Sequence, residues 1–206
     1  RFDHGEGEIS TETYFAMARG TRGDDGIPPM EMTKWFNTNY HFIVPEIERR
    51  TTFCLSSNKP VAEFLEAKEL GIHTTPVLIG PVSYLLLAKG HDVEALSLLP
   101  QLLPVYRELL EKLCGAGADW VQLDEPFLTM DLEDEAVESY RVAYETLSMG
   151  AGDPVPKILL ATYFSDLREN ASLAVRLPVD ALHLDLSAGG SSLDSILEEG
   201  DESKLL

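Results

Sequence analysis

Hydrophobic and polar positions along this chain alternate between two rhythms. Leu99, Leu102, Leu103, Tyr106, Leu109, Leu110 and Leu113 recur at i, i+3, i+4 and i+7 intervals, which predicts a long amphipathic helix running up to Gly115 and Gly117. Residues 61–70 predict another helix, with Val61, Phe64 and Leu65 inward and Gly71 as its stop, and residues 134–149 a third, with Ala136, Val137, Tyr140, Ala143, Tyr144 and Leu147 inward. A short helix is expected over 167–177. Between them lie compact apolar runs at 76–81, 120–123, 157–164 and 181–186, the pattern of buried parallel strands. Tyr14 to Ala18 reads as a further short strand between loops at 3–12 and 19–29, and a loop is expected from Pro45 to Lys59. Gly150 to Pro156 reads as a break.

Strand and helix alternating at intervals of roughly 25 to 40 residues imply crossover units and a parallel sheet. No Gly-x-Gly-x-x-Gly opens a helix, so a dinucleotide fold loses its main support. The expected class is α/β, a (β/α)8 TIM barrel. Five or six barrel strands can be counted where a closed barrel has about eight. The barrel is therefore expected to be incomplete, with 206 residues forming part of one domain of something longer.

Charge narrows the partners. Lys and Arg number 16 against 35 Asp and Glu, a formal charge of −19, so nucleic acid and anionic membranes, which need a basic footprint, are not expected. No apolar run reaches the roughly 18 residues of a membrane span. Cys54 and Cys114 stand sixty positions apart without a disulfide framework or a Cys-x-x-Cys pair, which points to a cytoplasmic protein.

Two polar clusters sit at the ends of apolar runs, where α/β folds place their chemistry. The first is EMTKWFNTNYH, from Glu31 to His41. Lys34 is a local cation in an acidic chain, with Trp35, Asn37, Asn39 and Tyr40 beside it, a set suited to an anionic ligand that carries a flat ring. Its bland alternative is a solvated lysine packing its stem on Trp35. The second is WVQLDEP, from Trp120 to Pro126. Asp124 and Glu125 are adjacent on an extended segment and so point apart; a ligand or rim contact by at least one of them stands against a bland reading in which Asp124 caps a loop or helix and Glu125 binds a ligand or pairs with a basic residue. His183 is expected at the core or rim. The histidines are dispersed, and no His-x-Cys or Cys-x-x-Cys supports a metal site.

These runs, with PVLIGPVSYL from Pro76, Thr162 to Phe164, and LHLDL from Leu182, resemble the cobalamin-independent methionine synthases, in the family's order from about Thr13 to Leu186. The likeness is to the amino-terminal of the family's two barrels. It implies a methyl transfer from 5-methyltetrahydropteroyl-polyglutamate to homocysteine by the whole enzyme. It also implies that Lys34 and Asn39 contact the folate tail and that the segment is not catalytic alone. Zinc is expected in the carboxy-terminal barrel, a partner on the same chain. In that barrel a His-x-Cys holds it, and the matching positions here, Ala161, Thr162 and Tyr163, offer neither imidazole nor thiolate. A stand-alone folate-binding barrel and, more remotely, a carbohydrate-active barrel using Glu125 are the competing readings.

Overall fold

The computed structural model describes residues 8–23, 26–148, 154–187, 190–199 and 204–206; the expected loops at 3–7 and 24–25, and the break at 150–153, lie outside them. Ser10 opens the first element, its Oγ accepting from the Thr13 amide at 3.1 Å, and Gly20 closes it with φ +74°. The element is a helix, α1 (Thr11–Arg19), where a strand was expected at Tyr14 to Ala18. A short apolar run cannot distinguish the two, and the cap at Ser10, with Glu12 in the first turn and Arg19 in the last, decides for helix. None of its residues is buried.

An antiparallel hairpin follows, β1 (Met32–Lys34) and β2 (His41–Ile43), in the register Met32 to Ile43, Thr33 to Phe42 and Lys34 to His41. The expected loop after Pro45 contains a two-residue strand, β3 (Glu46–Ile47). The first predicted helix is α2 (Lys59–Glu69), and the strand after it is β4 (Val77–Ile79). A helix absent from the periodicity reading, α3 (Pro81–Leu87), starts directly at Gly80, and β5 (Lys89–Gly90) then pairs in parallel with β3. The seven residues of α3 are too few to show a helical period, and Pro81 in its first turn also bounds the apolar run of β4.

The remaining units follow the predicted rhythm. They are α4 (Leu99–Ala116), β6 (Trp120–Asp124), α5 (Asp134–Ser148), β7 (Lys157–Ala161), α6 (Ala171–Arg176), β8 (Ala181–His183) and α7 (Ser191–Glu199). Among the described residues the main sheet has four parallel strands in the order β4-β6-β7-β8, and Leu205 forms a parallel bridge to Ala181 beyond β8. Five or six barrel strands were expected; β3 and β5 pair with each other as a separate two-stranded unit, and the barrel is not closed.

Register separates the two faces of this sheet. Leu78, Leu123 and Leu160 are neighbours on one face, continuing to Leu182, and with Val121 and Ile158 they meet the leucines of α4 and Tyr140, Ala143, Tyr144 and Leu147 of α5 in one apolar core. The other face carries Val77, Ile79, Trp120, Gln122, Asp124 and Leu159. Of the strands, β4 is less covered than its apolar sequence implied, because Val77 is 56% exposed on that second face. The C-terminal ends of β4, β6, β7 and β8 lie along one edge, and the polar clusters gather there.

Candidate functional site

The hairpin turn between Lys34 and His41 is built from its own backbone and hydroxyls. The Trp35 amide donates to Tyr40 O at 2.7 Å, the Thr38 amide and Oγ1 both donate to Trp35 O, and the Tyr40 amide donates to Thr38 Oγ1 at 3.1 Å. This leaves the side chains of Lys34, Asn37, Asn39, Tyr40 and His41 exposed, with Tyr40 at 77%. No hydrogen bond or ion pair engages the Lys34 ammonium among the described residues. The Trp35 ring meets Phe36 at 5.3 Å and Phe42 at 5.5 Å, both edge-on.

Phe36 anchors the turn. Its φ of +50° is a left-handed conformation that a bulky residue adopts at a cost of about 1 kcal/mol or more. Packing offsets that cost: the Phe36 ring lies 5.3 Å from Phe127, which follows β6, and 5.6 Å from Phe164, which follows β7. Phe164 also has positive φ, +77°, and stacks edge-on against Tyr163 at 4.6 Å. Two strained phenylalanines thus meet where the hairpin touches the strand ends, and such strain gathers at functional sites.

Asp124 joins the same cluster. Its Oδ1 accepts from Gln122 Nε2 at 2.8 Å and its Oδ2 from the Tyr163 hydroxyl at 3.0 Å. Burial, reinforced by the Asp124 carboxylate, pushes the Tyr163 phenol well above its ordinary range and keeps it a neutral donor. In place of the loop or helix cap of the bland reading, Asp124 links β6 to the residues after β7.

Glu125 points the other way, as the strand alternation requires, and is fully buried. Among the described residues no basic side chain pairs with it. Its Oε2 accepts from the Ser83 amide at 2.8 Å and from the Tyr140 hydroxyl at 3.2 Å; its Oε1 accepts from the Val82 amide at 3.3 Å and from the Tyr144 hydroxyl at 3.1 Å. It caps α3, which begins with free backbone N–H groups aimed at it. Loss of solvent raises its pKa to about 7 against the lowering pull of these hydrogen bonds and of the Ser83 hydroxyl. The same burial leaves it no route to a glycosidic oxygen, so the carbohydrate reading loses its acid.

Zinc chemistry finds no donor set at the strand ends. Ala161 is apolar, the Thr162 hydroxyl donates to His183 O at 2.9 Å, and the Tyr163 hydroxyl serves Asp124. His183, expected at the core or rim, is exposed at the end of β8 with Nδ1 3.0 Å from Thr162 O. Among the described residues no three His, Cys, Asp or Glu side chains come together as ligands would.

The structure places Lys34, Trp35, Asn37, Asn39 and Tyr40 on one hairpin turn whose Phe36 reaches the residues after β6 and β7, puts Asp124 at the end of β6 bonded to Tyr163, and turns Glu125 into the core. Phe36, Phe127, Tyr163 and Phe164 are participants that sequence reasoning did not assign. Their signal was positional, aromatics placed directly after a strand-end motif or inside the hairpin turn. Surface grooves between α5 and α6 and between α4 and α5 are lined by none of these residues.

Three comparisons bear on identity. A family model described as "Cobalamin-independent synthase, N-terminal domain" matches residues 1–206. A 5-methyltetrahydropteroyltriglutamate–homocysteine methyltransferase of Chelativorans sp. (strain BNC1) is 48% identical over 97% of this chain and 27% of its own length. One of the same name from Xylella fastidiosa (strain 9a5c) is 52% identical over 89% and 24%, so the chain spans about a quarter of these relatives. Among solved structures, a B12-independent methionine synthase from Shewanella sp. W3-18-1 superposes with a TM-score of 0.55 at 14% identity, covering 81% of this chain and 62% of that one. A putative vitamin-B12 independent methionine synthase from Listeria monocytogenes gives 0.52 at 17% identity over 66% and 46%. Those two establish the barrel-type fold alone, and the sequence matches establish the lineage: the chain belongs to the cobalamin-independent methionine synthase family and corresponds to its N-terminal domain.

Proposed function

We propose that this chain is the tail-holding part of a methyltransferase that moves a methyl group from 5-methyltetrahydropteroyltri-L-glutamate to homocysteine, and that Lys34 and Asn39 contact the polyglutamate tail. The names of the relatives supply the reaction. The observation that carries the role is the hairpin: an exposed ammonium without a partner among the described residues, flanked by the exposed amides of Asn37 and Asn39, in a chain of formal charge −19. Glutamate carboxylates approaching such a body meet net repulsion, so a fixed cation and amide donors are what the tail requires. The exposed Tyr40 ring and the half-buried Trp35 offer flat surfaces beside it.

The chemistry itself needs a reactive thiolate and an acid for the departing amine. Among the described residues no cysteine lies at these strand ends, and the Glu125 carboxyl there is buried away from any substrate. Zinc is accordingly assigned to a carboxy-terminal barrel that acts with this one, in the reducing cytoplasm consistent with the unpaired Cys54 and Cys114.

Lys34→Ala in the full-length enzyme tests the assignment. An exposed ion pair is worth up to about 1 kcal/mol, so KM for the triglutamate substrate should rise roughly fivefold while a monoglutamate analogue is little affected. Equal losses for both substrates would remove the tail from the argument.

A further inference from the structure

We infer that Phe36 and Phe164 are positioning residues for the polyglutamate tail: their ring contact, shared with Phe127, fixes the turn that carries Lys34 and Asn39 against the ends of β6 and β7. The role rests on the proposal that the hairpin contacts the tail. Phe36 falls between Lys34 and Asn39 in the turn, so the point of attachment lies between the two groups it would hold.

The two ends of the hairpin are secured differently. At its base the Val44 amide donates to Glu31 O at 2.9 Å, the Glu31 carboxylate meets Lys89 Nζ at 2.7 Å, and the Lys89 amide donates to Pro45 O at 2.8 Å, which ties the base to β5. Beyond the base, β1 and β2 pair only with each other among the described residues and join no strand of the main sheet. The orientation of the tip therefore depends on side chains. The Phe36 ring crosses from the tip to the strand ends, 5.3 Å from Phe127 and 5.6 Å from Phe164, and all three rings are half-buried there.

Both halves of the contact stand on left-handed backbone, φ +50° at Phe36 and +77° at Phe164, which persists in a bulky residue only where its surroundings over-determine it. At Phe164 those surroundings are polar. Its amide donates to Asp185 Oδ2 at 3.0 Å, just past β8, and the other oxygen of Asp185 accepts from the Ser187 amide at 2.9 Å. Phe164 is thus a fixed seat, and Phe36 is the half that settles on it. Without the ring contact the hairpin would pivot on its base and present Lys34 and Asn39 together for only a fraction of the time. Apparent affinity for the tail falls by that fraction, while the reacting groups are untouched.

In the full-length enzyme, Phe36→Ala should raise KM for the triglutamate substrate roughly three- to tenfold, the range that loss of two aromatic contacts implies, with kcat retained and the monoglutamate analogue little changed. Amide hydrogen exchange should accelerate at Trp35 and Thr38, whose N–H groups close the turn, and stay unchanged in α4 and α5. Phe164→Leu should act in the same direction, and the double variant should be no worse than the more affected single one. Phe36→Gly accepts positive φ at no steric cost but has no ring, so KM should stay raised. A glycine variant that handles the triglutamate as wild type does would show that backbone conformation, not the ring, sets the hairpin, and would overturn the role.

Lys34→Ala, measured alongside, distinguishes the failures. If it is selective for the triglutamate while Phe36→Ala changes neither KM nor hairpin exchange, the positioning role is overturned and tail binding stands. If Lys34→Ala shows no selectivity, the tail reading falls and takes the positioning role with it, whatever the exchange data show. Losses in Phe36→Ala that fall equally on both substrates, or on kcat alone, also overturn the inference.

Discussion

Glu125 is the residue under the greatest electrostatic tension, a carboxyl without solvent and without a cation, surrounded by two backbone amides and two phenols. Burial outweighs those donors and lifts its pKa from 4.5 to about 7, while the phenols of Tyr140 and Tyr144 are themselves held neutral by burial. The sign of the pH dependence follows. Below pH 4.5 the group is protonated in both folded and unfolded chains, and its contribution is fully present. Between about pH 4.5 and 7 the unfolded chain releases its proton and the folded chain does not, so stability falls by on the order of 3 kcal/mol as pH rises through that window. In urea titrations from pH 5 to 8, wild type should weaken steadily relative to Glu125→Gln, which stays neutral throughout. Parallel stability curves for the two would show that Glu125 is not the titrating group. At this scale the sequence was legible for charge and orientation but not for partners. That Asp124 and Glu125 diverge follows from strand alternation. That Glu125 caps α3, and Asp124 meets Tyr163 thirty-nine residues later, depends on which strands become neighbours.

The β4–α3 junction shows how elements constrain one another. Gly80 has ordinary extended angles, φ −70° and ψ 151°, so no unusual backbone demands glycine there. Space does. A Cβ at Gly80 would lie 2.1 Å from Glu125 Oε1 and 2.2 Å from its Cδ, and the carboxylate has no room to retreat because four donors hold it. Gly80→Ala should thus cost about 3 kcal/mol by pushing the carboxylate off the α3 amides, read as a lower urea midpoint with an unchanged slope. A loss below about 0.5 kcal/mol, the range of an ordinary surface change, would mean the cap is dispensable. Long elements were the legible ones. The rhythm of six leucines and Tyr106 in α4 and the inward face of α5 could be read directly, because many turns report one period. Short elements were not: α1 was mistaken for a strand, and α3 was missed, since each is settled by a cap and a neighbour rather than by periodicity.

At the scale of the whole molecule, the chain exposes 12181 Å², whereas a folded monomer of 22.8 kDa is expected to expose roughly 9,600 Å². An excess of roughly 2,600 Å² is of the order that a large obligate interface buries. Part of it has an address. The helices cover only the Leu78, Leu123 and Leu160 face of the sheet, and the opposite face leaves Val77 more than half exposed beside the half-buried Ile79 and Trp120. Among the described residues β4 is also an edge strand with no neighbour on its outer side, which adds unpaired backbone groups to an apolar surface. Relatives about four times longer have further chain with which to cover such a face. The 206 residues produced alone should therefore self-associate despite their charge of −19, with sedimentation coefficients that climb with concentration and with salt as repulsion is screened. Val77→Lys, a charge placed on that exposed edge, should suppress the association while leaving the α4–α5 core and its unfolding midpoint intact. A chain that sediments as a monomer at every concentration and salt would show that the open face is tolerated by water, and the excess area would then need no partner.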